Sequence, residues 1–205
     1  MHFWSTLPEF MSHAFEGSRA KLARAEELIL QFNQDAAAFL ALPADALAET
    51  APPARLSALL GDIVHNLRSS LDHVVHQLIM EQTGKEPTYR TYEFPIFCHE
   101  NQFDETLNRK LRDVSDEAVE LIKDVQPFQS DPPKASPLHT LQDLSTIDRH
   151  SLLTLGVKSD ATGTRSLVLI NAGPLLIDTP IGTLLQQMLD ITTEAIDHID
   201  DGLEE

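Results

Sequence analysis

Apolar residues return every three to four positions through four long stretches of this chain, and each stretch predicts an amphipathic helix. In the first, about residues 9–41, an Ala-rich sequence carries Leu22, Ala25, Leu28, Ile29 and Phe32 along one side. The second, about 55–81, is the strongest: Leu56, Leu59, Leu60, Ile63, Val64, Leu67, Leu71, Val74, Val75, Leu78 and Ile79 share a face, and Gly84 and Pro87 end it. The third, about 100–125, holds Phe103, Leu107, Leu111, Val114, Val119 and Ile122, with a restart expected near Ser115. The fourth, about 181–203, holds Leu184, Leu185, Met188, Leu189, Ile191, Ile196 and Ile199.

The remaining segments read differently. Pro43, Pro52 and Pro53 mark 42–54 as a connection, and four prolines mark 127–137 as a loop. Residues 138–148 suit a short helix with Pro137 at its start. Residues 88–97, with Tyr89, Tyr92, Phe94 and Phe97, are expected to be extended, with Pro95 demoting them to an edge or loop. Residues 151–158 and 166–171 are β-like and joined by Ser159–Gly163, and 175–178 would add a third run. The expected fold class is therefore mainly α (α+β): a bundle of about four long helices with a small antiparallel hairpin or meander. We expect a single domain over 1–205, with a helical core at about 9–126, the β element at about 151–178 and the C-terminal helix at about 181–203.

Charge narrows the partners. Of a formal net charge of −17, eight negative charges fall after Arg165, where no Lys or Arg remains. That balance opposes a broad grip on nucleic acid, leaving only a local site for RNA. The acidic C-terminal helix is instead a candidate surface for a protein partner. The single Cys98 excludes an intrachain disulfide. No run approaches the roughly 20 apolar residues of a membrane span, and the N-terminus lacks a signal-peptide pattern. A cytoplasmic protein with no membrane role is expected.

Candidate chemistry concentrates on the polar side of the second helix. Asp62, His65, Asn66, Ser69, Asp72, His73 and His76 lie there, short polar and imidazole groups where a solvated face would more often show Lys and Glu. Asp62 with His65, Asp72 with His76, and His73 with His76 stand at spacings that could aim at one ion, with His139, His150 or His198 as outside ligands. No HExxH, CxxC or ExxH pattern supports a metal, so no cofactor is expected. Ser69, Asp72 and His73 are adjacent types for nucleophilic catalysis, but no GxSxG turn exists to present the serine. Cys98 beside His99 carries no stronger signal. The plain alternative is structural: Asp62, Asn66 and Ser69 hydrogen-bonded to a neighbouring helix, the histidines packed and neutral, and Arg68 paired with Asp72 at i,i+4.

The run Arg68-Ser69-Ser70-Leu71-Asp72-His73 fits an Arg-x4-His spacing and resembles the signature of the HEPN superfamily of small helical bacterial proteins. The resemblance implies metal-independent RNA cleavage at a composite site in a homodimer. Arg68 would stabilise phosphate charge and His73 would move protons, with Asn66 and Asp72 in support. It covers the motif and its helical setting. Five positions turn Arg68 and His73 about 140° apart on an ideal helix. More of the chain resembles a family of bacterial and phage-associated helical proteins with no established activity. The likeness runs through residues 21–27, His65-Asn66-Leu67-Arg68-Ser69-Ser70-Leu71-Asp72-His73, Phe94-Pro95-Ile96-Phe97 and Thr146-Ile147-Asp148-Arg149-His150. It adds Arg149 and His150 to the candidates, beside His65, Ser69 and His76. The competing functional expectations are a non-enzymatic acidic helical interaction module and a histidine-lined metal-binding bundle.

Overall fold

The computed structural model describes residues 15–87, 92–170 and 179–204. They form a mainly helical structure with one small two-stranded antiparallel sheet. In chain order the elements are α1 (Glu16–Leu40), α2 (Ala44–Glu49), α3 (Ala54–Thr83), α4 (Glu100–Lys110), α5 (Asp116–Asp124), α6 (Pro137–Asp148), β1 (Leu155–Ser159), β2 (Arg165–Leu169) and α7 (Ile181–Glu204). Single 3₁₀ turns at Pro127–Gln129 and Pro133–Ala135 carry the proline-rich loop.

Helix α3 is the axis of the bundle. Every apolar residue assigned to its inner face is buried except Leu59, which is half-buried. α1 lies along it, and α6 and α7 pack on its other sides. One buried cluster joins α3 to Phe32 of α1, Leu47 of α2, Phe103 of α4, Ile122 of α5, Leu141 of α6, Leu155 of β1, Leu167 of β2 and Met188 of α7. Gly84 ends α3 in the left-handed region (φ 64°), closing on the Met80 carbonyl. That conformation is the reason a glycine serves there.

Three places refine the expectations. Among the described residues three helices have 24 residues or more, and the 100–125 stretch divides near the expected restart. α4 stops at Lys110, and Ser115 caps α5 by accepting the Ala118 N–H at 3.2 Å. The proline-flanked connection contains the short helix α2, which tucks Leu47 into the core. Residues 92–97 adopt no strand pairing. The hairpin itself is present, Leu155 facing Leu169 through Ser159 facing Arg165. Its turn is organised by Asp160, whose Oδ1 accepts the N–H groups of Thr162 and Thr164, with Gly163 at φ 83°. The expected third run at 175–178 and the start of the first helix at 9–14 lie outside the described residues. No helix among the described residues is long and apolar enough to cross a membrane.

Candidate functional site

Arg68 and Asp72 sit one turn apart on α3, so their side chains meet. The structure pairs them, with Arg68 Nη1 donating to Asp72 Oδ1 at 2.6 Å. It also buries the arginine, which is only 7% exposed. Two further donors are committed: Nη2 to the Phe94 carbonyl at 2.7 Å and Nε to Gln142 Oε1 on α6 at 3.1 Å. Asp72 Oδ1 in turn accepts the Phe94 N–H at 2.8 Å. Phe94 thus receives, from two side chains, the pair of backbone bonds that a neighbouring antiparallel strand would supply. Gln126, fully buried, completes the arrangement by accepting the Phe97 N–H and donating to the Pro95 carbonyl. Side chains therefore pair the Phe94 N–H and carbonyl, the Pro95 carbonyl and the Phe97 N–H without a sheet, and Phe94 packs its ring completely out of water.

Beside this clamp a cavity of about 160 Å³ opens between α3 and α6. His65, Arg68, Ser69 and Asp72 line it from α3, with Ser145 and Asp148 from α6, Arg149 just past its end, and Glu93. Gln142, Ser145 and Arg149 stand at i, i+3 and i+7, one face of α6 continued into its C-cap. Gly61 sets the approach of the two helices: a Cβ there would lie 2.5 Å from Asp148 Oδ1. The Arg149 Nε donates to the Ser145 carbonyl at 3.2 Å.

The carboxylates of this cavity differ in electrostatics. Burial pushes the Asp72 carboxyl above its ordinary value, while the charge of Arg68 and the Phe94 N–H pull against it. For Glu93, burial also acts upward, but its bond to Lys110 and the charges of Lys110, Arg68 and Arg149 outweigh it and hold the group low. Asp148 is raised, by burial and by the negative charge of Asp62, with only His65 opposing.

A raised carboxyl costs stability once it ionises. The contribution of Asp148 is therefore full below the ordinary carboxylate range and is lost as pH rises through its raised value. Asp148→Asn is expected to be more stable than the wild type at about pH 7, with the gain shrinking towards about pH 4. Urea denaturation at both pH values tests this, and a difference that stays constant with pH refutes it.

The structure separates the two residues of the Arg-x4-His motif. Arg68 turns inward to residues 94–97 and α6, whereas His73 is exposed on the side of α3 that faces the start of α1. A Cβ on Gly17 would lie 2.8 Å from His73 Nδ1. Burial first, then the nearby Lys21 and His76, lower the proton affinity of His73. The His76 ring stands 6.5 Å from that of His73, and its Nε2 lies 3.2 Å from Glu86 Oε1. Neither histidine lines the cavity. Asn66, expected in support, donates to the Asp62 carbonyl of its own helix. His150 is exposed past the end of α6.

Arg68, Asp72, His65, Ser69 and Arg149 are thus brought together, and His73, His76, Asn66 and His150 are not. Glu93, Gln142 and Ser145 are additions, and the spacing on α6 is the signal that could have found the last two. Among the described residues no three His, Cys, Asp or Glu side chains are arranged to hold a metal ion. Two of the proposed outside ligands have other neighbours, Asp143 for His139 and Asp124 for His198. Comparisons with family models, curated proteins and solved structures return no match.

Proposed function

We propose that this chain is a HEPN-like helical recognition module without catalytic activity, and that its cavity between α3 and α6 binds a small polar group. The observation that carries this is the commitment of Arg68 to Asp72, Gln142 and the Phe94 carbonyl. A guanidinium held this way, buried and with three of its five N–H groups committed, positions a wall of the cavity and leaves few donors for a phosphate. The groups left to meet a ligand are of both kinds: Arg149 and the hydroxyls of Ser69 and Ser145 as donors, Asp148 as an acceptor, and His65 as either. Two guanidiniums face three carboxylates across it, which disfavours an isolated phosphodiester and suits a group carrying donors and acceptors together. Ligand-observed NMR against a panel of amino-acid-sized and nucleobase-sized polar compounds tests the reading. The expected hits disappear in Arg149→Ala with the fold intact, and a panel without any such hit overturns it.

A second reading has its own observation. His73, exposed, and His76, half-buried, form a ring pair, and the charge of Lys21 reaches His73. In a homodimer such a face supports metal-independent RNA cleavage, one imidazole taking the 2′-hydroxyl proton and another protonating the leaving oxygen. Under the leading proposal, pure wild-type protein leaves RNA intact in EDTA. Cleavage that His73→Ala abolishes would instead favour the ribonuclease.

A further inference from the structure

A second depression, about 580 Å³ in volume, runs between α1 and α7, away from the cavity described above. Leu22, Ala23 and Leu189 form its apolar part. Further along α1, outside the depression, Leu30 is 60% exposed. Its rim is acidic: Glu26 from α1, Asp190 and Glu194 from α7, all exposed. Arg19 stands at one end, but Asp197 at 2.8 Å and Asp200 at 2.6 Å already hold its guanidinium. Among the described residues no Lys or Arg pairs with Glu26, Asp190 or Glu194, and α7 contains no Lys or Arg.

We propose that the groove between α1 and α7 docks a basic amphipathic helix of a partner protein, its apolar side on Leu22, Ala23 and Leu189 and its cations on Glu26, Asp190 and Glu194. The apolar floor between two helices matches the helix-in-groove mode, and the three unpaired carboxylates select the sign of the flanking charges. A second copy of the chain would bring the same acidic rim and a net charge of −17 against it. Nucleic acid would meet like charge. The bond from Gln186 to Asp190 at 2.7 Å already orders one rim carboxylate.

The probe is a synthetic helical peptide of about five turns, with leucines spaced at i, i+3, i+4 and i+7 and lysines on both flanks, followed by fluorescence anisotropy at roughly physiological salt. Saturable binding is expected. The triple reversal Glu26→Lys, Asp190→Lys, Glu194→Lys should weaken it at least about tenfold. The matched reversal Asp45→Lys, Glu49→Lys, Glu105→Lys, which changes net charge equally on exposed positions elsewhere, should leave it within about twofold. Equal weakening by both triples means bulk charge alone and overturns the proposal. So does an absence of saturable binding, or a homodimer that the groove triple dissolves while the peptide fails to bind. Circular dichroism of both triples confirms that the fold is kept, as expected for surface positions.

Discussion

Arg68→Ala lowers the stability of the fold by about 3–5 kcal/mol, which for a chain of this length is a fall of roughly 10 °C in Tm. The size follows from what the side chain touches. An i,i+4 ion pair on an open helix surface contributes about 0.3–0.5 kcal/mol. Arg68 is buried, and its removal strips Asp72 of its cation, Gln142 of a donor and the Phe94 carbonyl of its partner. Each group left unsatisfied costs about 1–3 kcal/mol. Arg68→Lys should fall between, because an ammonium keeps the charge but cannot present the planar fork that reaches all three acceptors. Urea denaturation of the three proteins measures this. A loss below about 1 kcal/mol for the alanine variant would mean that Arg68 does not hold the segment, and would return it to the pool of residues available for chemistry.

The second large effect is at Gln126. Gln126→Met keeps volume but removes the acceptor for the Phe97 N–H and the donor to the Pro95 carbonyl. A loss of about 2–4 kcal/mol is expected. Arg68 and Gln126 are on different helical neighbourhoods yet hold the same few residues. The double variant should therefore lose less than the two single losses together, by about 1 kcal/mol or more, because a segment released at one end gives the other clamp less to hold. Losses that add within about 0.5 kcal/mol would show the two ends to be independent.

How much of this could be read beforehand depends on the range of the interactions. α3 was legible to within two residues at each end, since its apolar face is a local repeat and Gly84 is a local stop. α6 was legible from Pro137. α2 was not: six residues between prolines give too short a window for periodicity, and only the burial of Leu47 against the bundle holds that turn as a helix. The Arg68–Asp72 pair was likewise legible as a four-residue spacing. Its burial was not, because Phe94 and Gln142 lie 26 and 74 residues away in sequence. Residues 88–97 read as extended, with Pro95 pointing to an edge or loop; 92–97 are a loop without strand pairing, and 88–91 lie outside the described residues. The aromatic residues look like those of a strand, but the backbone partners at 94–97 are side chains from elsewhere. The candidate site was thus half visible: His65, Ser69, Arg68, Asp72 and Arg149 converge, while the motif's histidine departs to the face beside α1.

The clamp on Phe94 also bears on how this sequence can drift. A strand accepts almost any neighbour, because backbone recognises backbone whatever the side chains are. Here one half of the pairing is written in side chains, so positions 68 and 72 are bound to each other and to the course of a distant loop. Either can be replaced only together with the other, or with a new route for residues 94–97. An Arg and an Asp one turn apart would then persist through descent whether or not any substrate was ever selected for. A short motif of this kind can outlast the activity it is taken to announce.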